Sequence, residues 1–187
     1  MIYKSLAVFC GSRPGANPLF VQHAKELGAL LATNNISLIY GGGSKGLMGA
    51  VADAVMENGG KVIGVIPELL IQWEAQHLGL TELHVVADMH VRKKMMYDLC
   101  DAAVILPGGY GTLDEVFEML TWNTLQIHSK KIIILNSAGF YDHLIRHIEK
   151  LNTEEFLYES WRERITVIDE PSAIFINAGQ DISRSQL

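Results

Sequence analysis

The chain has 187 residues, 49% of them hydrophobic, and 15 Lys and Arg against 21 Asp and Glu give a formal charge of −6. That length suits one well-cored domain, and the apolar content argues against disorder. A modestly acidic chain can still bind nucleic acid through a local basic patch, but none is evident, the densest basic run being only Arg92-Lys93-Lys94, and no apolar run approaches a membrane span.

Short apolar runs alternate with longer amphipathic ones. Ser5–Cys10 reads as a buried strand, and Pro18–Asn34 as a helix with Phe20, Ala24, Leu27, Leu30 and Leu31 on one side. Ser37–Tyr40 is a second strand, and Gly46–Asn58 a helix with Leu47, Val51, Ala54 and Val55 inward, closed by Asn58-Gly59-Gly60. Lys61–Ile66 is a third strand stopped by Pro67. Leu69–Val86 has no clear period until the apolar piece Leu83–Val86. Asp88 is placed to cap a helix over Met89–Leu99. Ala102–Leu106 is a strand, Thr112–Leu125 a helix and Lys131–Leu135 a strand. Phe140–Ile148 and Glu154–Trp161 read as helices, Ile165–Ile168 as a last strand and Pro171–Asn177 as a terminal helix.

Strands apolar on both faces and separated by helix-length segments predict an α/β, three-layer, Rossmann-like fold with a mostly parallel central sheet. One nucleotide-binding domain is expected over residues 1–178, followed by a frayed tail over 179–187. Cys10 and Cys100 fit neither a disulfide framework nor a zinc knuckle and are expected to be buried free thiols. Met1–Cys10 is too short for a signal peptide, so the expected location is cytoplasmic.

Three glycine-bearing loops follow predicted strands: Cys10-Gly11-Ser12-Arg13, Gly41-Gly42-Gly43-Ser44-Lys45-Gly46 and Pro107-Gly108-Gly109-Tyr110-Gly111-Thr112. A strand-to-helix turn points backbone N–H groups at a ligand, and missing Cβ atoms let a phosphate come close. Gly11, Ser12, Gly41, Gly42, Gly43, Ser44, Gly46 and Gly108 are the candidate phosphate-loop residues. Gly41, Gly43 and Gly46 formally satisfy GxGxxG, but the loop follows the second strand and no acidic residue closes the next one, which argues against a dinucleotide. Walker A spacing is absent.

Glu115 stands in the first turn after the third loop, beside Asp114 and near Glu118. It is a candidate catalytic acid or an ordinary first-turn acid. Arg92 sits near a helix start, against the dipole preference, either as a functional cation or on a solvated basic face. Trp73 and Met89 suit stacking on a base or simple packing. His77, His84 and His90 have no metal-ligand spacing, and there is neither a Ser-His-Asp signature nor a GxSxG elbow.

Three blocks in order, Gly41–Gly49 (GGGSKGLMG), Asp88–Lys93 (DMHVRK) and Pro107–Glu115 (PGGYGTLDE), resemble the LONELY GUY family of cytokinin riboside 5'-monophosphate phosphoribohydrolases. The resemblance runs from about Ser5 to Ile168. It implies a Rossmann-like homodimer that hydrolyses N6-modified adenosine 5'-monophosphates to free base and ribose 5-phosphate, with no metal or organic cofactor. It carries the catalytic pair onto Arg92 and Glu115. It carries ligand contacts onto Glu74, Lys93, Gly109, Tyr110, Gly111, Thr112, Leu113, Asp114 and Thr121. Where many members have a basic residue this chain has Trp73, which bears on the preferred base. Two alternatives stay open at this point: a nucleosidase for AMP or purine monophosphates in general, and a non-catalytic nucleotide binder.

Overall fold

The structure, a computed structural model, describes residues 3–71 and 76–175. Its sheet contains β1 (Ser5–Phe9), β2 (Ser37–Tyr40), β3 (Val62–Pro67), β4 (Glu82–Val86), β5 (Ala102–Ile105), β6 (Ile132–Leu135) and β7 (Ile165–Ile168). All neighbours pair in parallel, in the order β4-β3-β2-β1-β5-β6-β7. The chain builds outward from β1 to β4, then returns to the other side of β1 to lay down β5. The strand order therefore reverses between β1 and β5, the place where open α/β sheets form a binding crevice.

The helices are α1 (Pro18–Thr33), α2 (Gly46–Glu57), α3 (Met89–Leu99), α4 (Tyr110–Thr124) and α5 (Asp142–Thr153). Alternate residues of β1 enter two cores. Leu6 and Val8 pack with Leu27, Leu31 and Val51 of α1 and α2, while Ala7 and Phe9 pack with Met96, Val116 and Met119 of α3 and α4. A sheet apolar on both faces, covered on both, is the three-layer architecture expected from the strand composition.

The helix ends follow local chemistry. Asn17 caps α1 by accepting from Leu19 N at 3.0 Å, with Pro18 in the first turn. Asp88 caps α3 through Oδ1, accepting from His90 N and Val91 N at 2.8 and 2.9 Å. Helix α2 closes as a Schellman motif: Gly59, at φ +72°, donates to Met56 O and Gly60 donates to Val55 O.

The expected helix over Glu154–Trp161 is not formed. Helix α5 starts two residues later than expected and runs on to Thr153, where Glu155 adopts φ +59° and Phe156 N bonds back to Leu151 O. That left-handed cap turns the chain away, and only a 3-10 turn at Trp161–Glu163 precedes β7. Smaller shifts occur elsewhere: α4 begins at Tyr110, β3 begins at Val62 and includes Pro67, and Glu82 opens β4. Residues 171–172 form a turn and residues 173–175 are helical, in line with the start of the expected terminal helix. The expected end of that helix and the tail over 179–187 lie outside the described residues. Cys10 and Cys100 are buried free thiols, and burial pushes Cys100 up to about 11. No helix among the described residues is long and apolar enough to cross a membrane.

Candidate active site

The three glycine loops meet at the carboxyl ends of β1, β2 and β5. Gly11 N donates to Pro107 O at 3.0 Å, and Gly11 O accepts from Leu47 N at 3.0 Å, so the first loop is tied to the third loop and to the start of α2. Above them lies a cavity of about 490 Å³. Gly11 and Ser12 line one side, Gly109, Tyr110, Gly111 and Thr112 another, and Met48, Leu70 and Met89 give it apolar wall. Arg92, Asp114 and Glu115 bring charge to it. A cavity of this size with convergent polar groups at the switch point has the features of a small-molecule site.

Helix α4 begins at the mouth of this cavity. No side chain caps it at Gly109. The N–H groups of a first helical turn have no intrahelical acceptor and carry the positive end of the helix dipole, which suits an anion. Thr112 is buried with its side chain over Gly108.

Arg92 is only 5% exposed, which rules out the solvated basic face. Its Nε donates to Val65 O at 3.1 Å and its Nη2 to Gly41 O at 3.1 Å, both backbone carbonyls near the ends of neighbouring strands. Nη1 lies 3.7 Å from Met89 Sδ. A guanidinium held by two carbonyls is fixed before any substrate arrives, and it cannot lose its proton at ordinary pH. Gly41 makes this possible, because a Cβ there would fall 2.1 Å from Nη2.

Three comparisons bear on what such a site does. A family model described as "Possible lysine decarboxylase" matches residues 48–177. The cytokinin riboside 5'-monophosphate phosphoribohydrolase of Rhodococcoides fascians is 46% identical, over 88% of this chain and 83% of its own. An enzyme of the same name from Arabidopsis thaliana is 44% identical, over 91% of this chain and 79% of its own. The chain belongs to the LONELY GUY family. The lysine-decarboxylase description is an older mislabel of the same group. Among solved structures, the molybdenum cofactor binding protein of Rippkaea orientalis superposes with a TM-score of 0.72 at 21% identity, covering 97% of this chain and 99% of that one. The molybdenum cofactor carrier protein of Chlamydomonas reinhardtii gives 0.70 at 19%, covering 96% and 98%. At those identities the likeness is one of fold.

The residues that the LONELY GUY resemblance implicates are unequally placed. Arg92, Glu115, Asp114 and Gly109–Thr112 share the cavity, and half-buried Leu113 packs beneath it on the α3–α4 core. Of the phosphate-loop candidates, Gly11, Ser12 and Gly41 line it; Gly42, Gly43, Ser44 and Gly46 do not, and Gly108 borders the adjoining cavity with Arg13. Thr121 is eleven residues along α4 from Tyr110, about 16 Å. Its hydroxyl donates to Phe117 O at 2.7 Å, and it lines a separate cavity with Phe117, Phe156 and Trp161. Glu74 and Trp73 lie outside the described residues.

Lys93 is 8% exposed and its Nζ lies 3.0 Å from both Asp114 Oδ2 and Glu118 Oε1. Burial pulls its pKa down, but the two carboxylates outweigh that and hold it above the ordinary lysine value. Tyr97 donates to Glu118 Oε2 at 2.7 Å, and burial followed by Glu118 pushes the phenol well above its ordinary value. Sequence reasoning missed this group, although Lys93/Tyr97 and Asp114/Glu118 both have the i, i+4 spacing of one helix face. It also missed Met48 and Leu70 as cavity wall. Among the described residues no three His, Cys, Asp or Glu side chains gather as a metal site, and His77 is paired instead with Asp53 at 2.9 Å.

Proposed function

We propose that the chain hydrolyses the N-glycosidic bond of N6-modified adenosine 5'-monophosphates, the cytokinin riboside 5'-monophosphates, giving free base and ribose 5-phosphate. The observation that carries this reading is Arg92 and Glu115 in one cavity beside the uncapped start of α4. Relatives 42–46% identical bear that activity in their names. The 5'-phosphate sits against Gly109–Thr112 and Ser12, where the helix dipole and backbone N–H groups favour an anion. The ribose lies beside Glu115, and the base faces Met48, Leu70 and Met89.

As the C1'–N bond breaks, positive charge grows on the ribose and negative charge on the base. The Glu115 carboxylate stabilises the sugar cation and orients the water whose oxygen bonds to C1'. Arg92, as a permanent cation, balances the charge on the departing base rather than protonating it. The base takes its proton from solvent, and the water's proton leaves by way of Glu115. Phosphate binding away from the reacting bond positions the sugar. The enzyme works as a homodimer in the cytoplasm on this reading; the exposed Phe117, Phe156 and Tyr158 beside the second cavity support a contact surface, and light scattering that returns the mass of a single chain would remove the dimer.

The test is release of base and ribose 5-phosphate from N6-isopentenyladenosine monophosphate and from AMP. Glu115→Gln is expected to lower turnover by about 10³-fold while ribose 5-phosphate still binds. Unchanged turnover in that variant refutes the assignment of Glu115. Faster release from AMP than from the isopentenyl substrate shifts the substrate to AMP, and binding with no release from either makes the protein a nucleotide binder.

A further inference from the structure

The group formed by Lys93, Tyr97, Asp114 and Glu118 joins two helices at the level of the cavity. On α3, Lys93 directly follows Arg92; on α4, Asp114 directly precedes Glu115. The bonds from Lys93 Nζ to Asp114 and Glu118, both 3.0 Å, and from Tyr97 to Glu118, 2.7 Å, therefore cross between the helices that carry the two cavity charges. Neither Lys93 nor Glu118 lines the cavity, whereas Arg92, Asp114 and Glu115 do.

The resemblance would make Lys93 a ligand contact, and the electrostatics argue otherwise. One ammonium faces two carboxylates, so the cluster has a net charge of −1 before Glu115 is counted. The ammonium's charge is thus already balanced by its two carboxylate partners, which leaves Lys93 little net positive charge to offer a phosphate. To reach a ligand, the buried Lys93 would have to leave two charge-assisted bonds, one to the exposed Asp114 and one to the half-buried Glu118, and leave those two carboxylates facing each other.

We infer that Lys93, with Glu118 and Tyr97, is a positioning device that fixes α3 against α4 and so holds Arg92 and Glu115 in register across the cavity. This rests on the reading of Arg92 and Glu115 as the reacting pair. Side chains on adjoining helices keep their spacing only if the helices neither slide nor rotate, and a misplacement of about 1 Å can cost on the order of 10²-fold in rate. The ammonium bonded to Asp114 and Glu118 stops sliding. The Tyr97 bond, one turn further along α3, stops rotation.

The experiment measures kcat, KM and the Kd for ribose 5-phosphate in Lys93→Met, Lys93→Arg and Glu118→Gln, with Glu115→Gln run alongside. Lys93→Met is expected to lower kcat by about 10–100-fold with KM and the product Kd held within about twofold. Lys93→Arg recovers most of that loss, because a guanidinium can span the same two carboxylates. Glu118→Gln, remote from the ligand, lowers kcat in the same sense by a smaller factor. The inference is overturned if kcat of folded Lys93→Met is unchanged. It is also overturned if KM and the product Kd weaken about tenfold while Glu118→Gln behaves as the parent, since that is the pattern of a direct phosphate contact. Should Lys93→Met fail to fold, Lys93→Arg and Glu118→Gln decide by the same readings. Full turnover in Glu115→Gln removes both readings, whereas an inactive Glu115→Gln beside unaltered Lys93 and Glu118 variants removes the positioning role alone.

Discussion

A Cβ atom on Gly41 would lie 2.1 Å from Arg92 Nη2, and one on Gly46 would lie 2.4 Å from the backbone of Ser12 and Arg13. On Gly109 or Gly111 it would meet nothing within 4 Å. The two glycine-rich loops thus use the missing side chain in opposite ways. The loop over residues 41–46 fills the space with the protein's own atoms. It seats a guanidinium and lets the first loop cross close above. The loop that opens α4 keeps two positions open toward the cavity. A run of glycines marks a place where something must come close, and only the fold says whether that something is protein or ligand.

The largest effect that tests this contrast is on stability, at Gly46. Its φ of +60° disfavours any residue with a Cβ, and the neighbour it would strike is main chain, which cannot rotate away. Gly46→Ala is expected to cost about 3 kcal/mol, from left-handed strain and overpacking together. For a chain of this length that lowers Tm by roughly 6–12 °C. A Tm within about 2 °C of the parent would show that the loop is not packed in this way.

Gly41→Ala comes next, and its effect falls on turnover. The nearest atom is the end of a long side chain, so the fold can absorb the methyl group by letting Arg92 swing. Arg92 then loses its bond to Gly41 O and its set position. A small change in Tm is expected with kcat lowered by about 10²-fold. If kcat stays within about threefold of the parent, Arg92 does not need the geometry described, and the link between this loop and the chemistry is broken.

What the sequence revealed follows the same division between local and distant causes. Apolar runs such as Ile132–Leu135 announced a sheet buried on both faces, and Asn58-Gly59-Gly60 announced the end of α2, because both signals lie within a few residues. The same left-handed cap at the ends of α4 and α5 was hidden, since Gln126 and Glu155 occupy the position that glycine usually takes. Reading Glu154–Trp161 as a helix failed for that reason. At the site, the residues alone left Glu115 open beside Asp114 and Glu118, and it was the resemblance of the three blocks to the LONELY GUY family that pointed to Arg92 and Glu115. The burial of Arg92 could not be read, because its acceptors belong to Val65 and Gly41, 27 and 51 residues away. Met48 and Leu70 reach the cavity only once three strands have aligned their loops, so nothing local in the sequence set them apart.

The smallest expected effect separates a turn from a ligand seat most cleanly. Gly109 has an extended backbone, φ −99° and ψ −152°, which alanine can adopt, and its Cβ would enter open space. Gly109→Ala should therefore cost less than about 1 kcal/mol, the ordinary difference between these residues at a helix N-cap. If the start of α4 seats the 5'-phosphate, the added methyl group holds the anion away from the N–H groups of Tyr110 and Gly111. KM and the Kd for ribose 5-phosphate should then rise by about tenfold, with the Kd for the free base unmoved. Because the fold is expected to be intact, this loss cannot be assigned to misfolding. If ribose 5-phosphate binds Gly109→Ala as it binds the parent, the open loop is a turn like any other, and the anion must be sought on the Gly11–Ser12 side of the cavity.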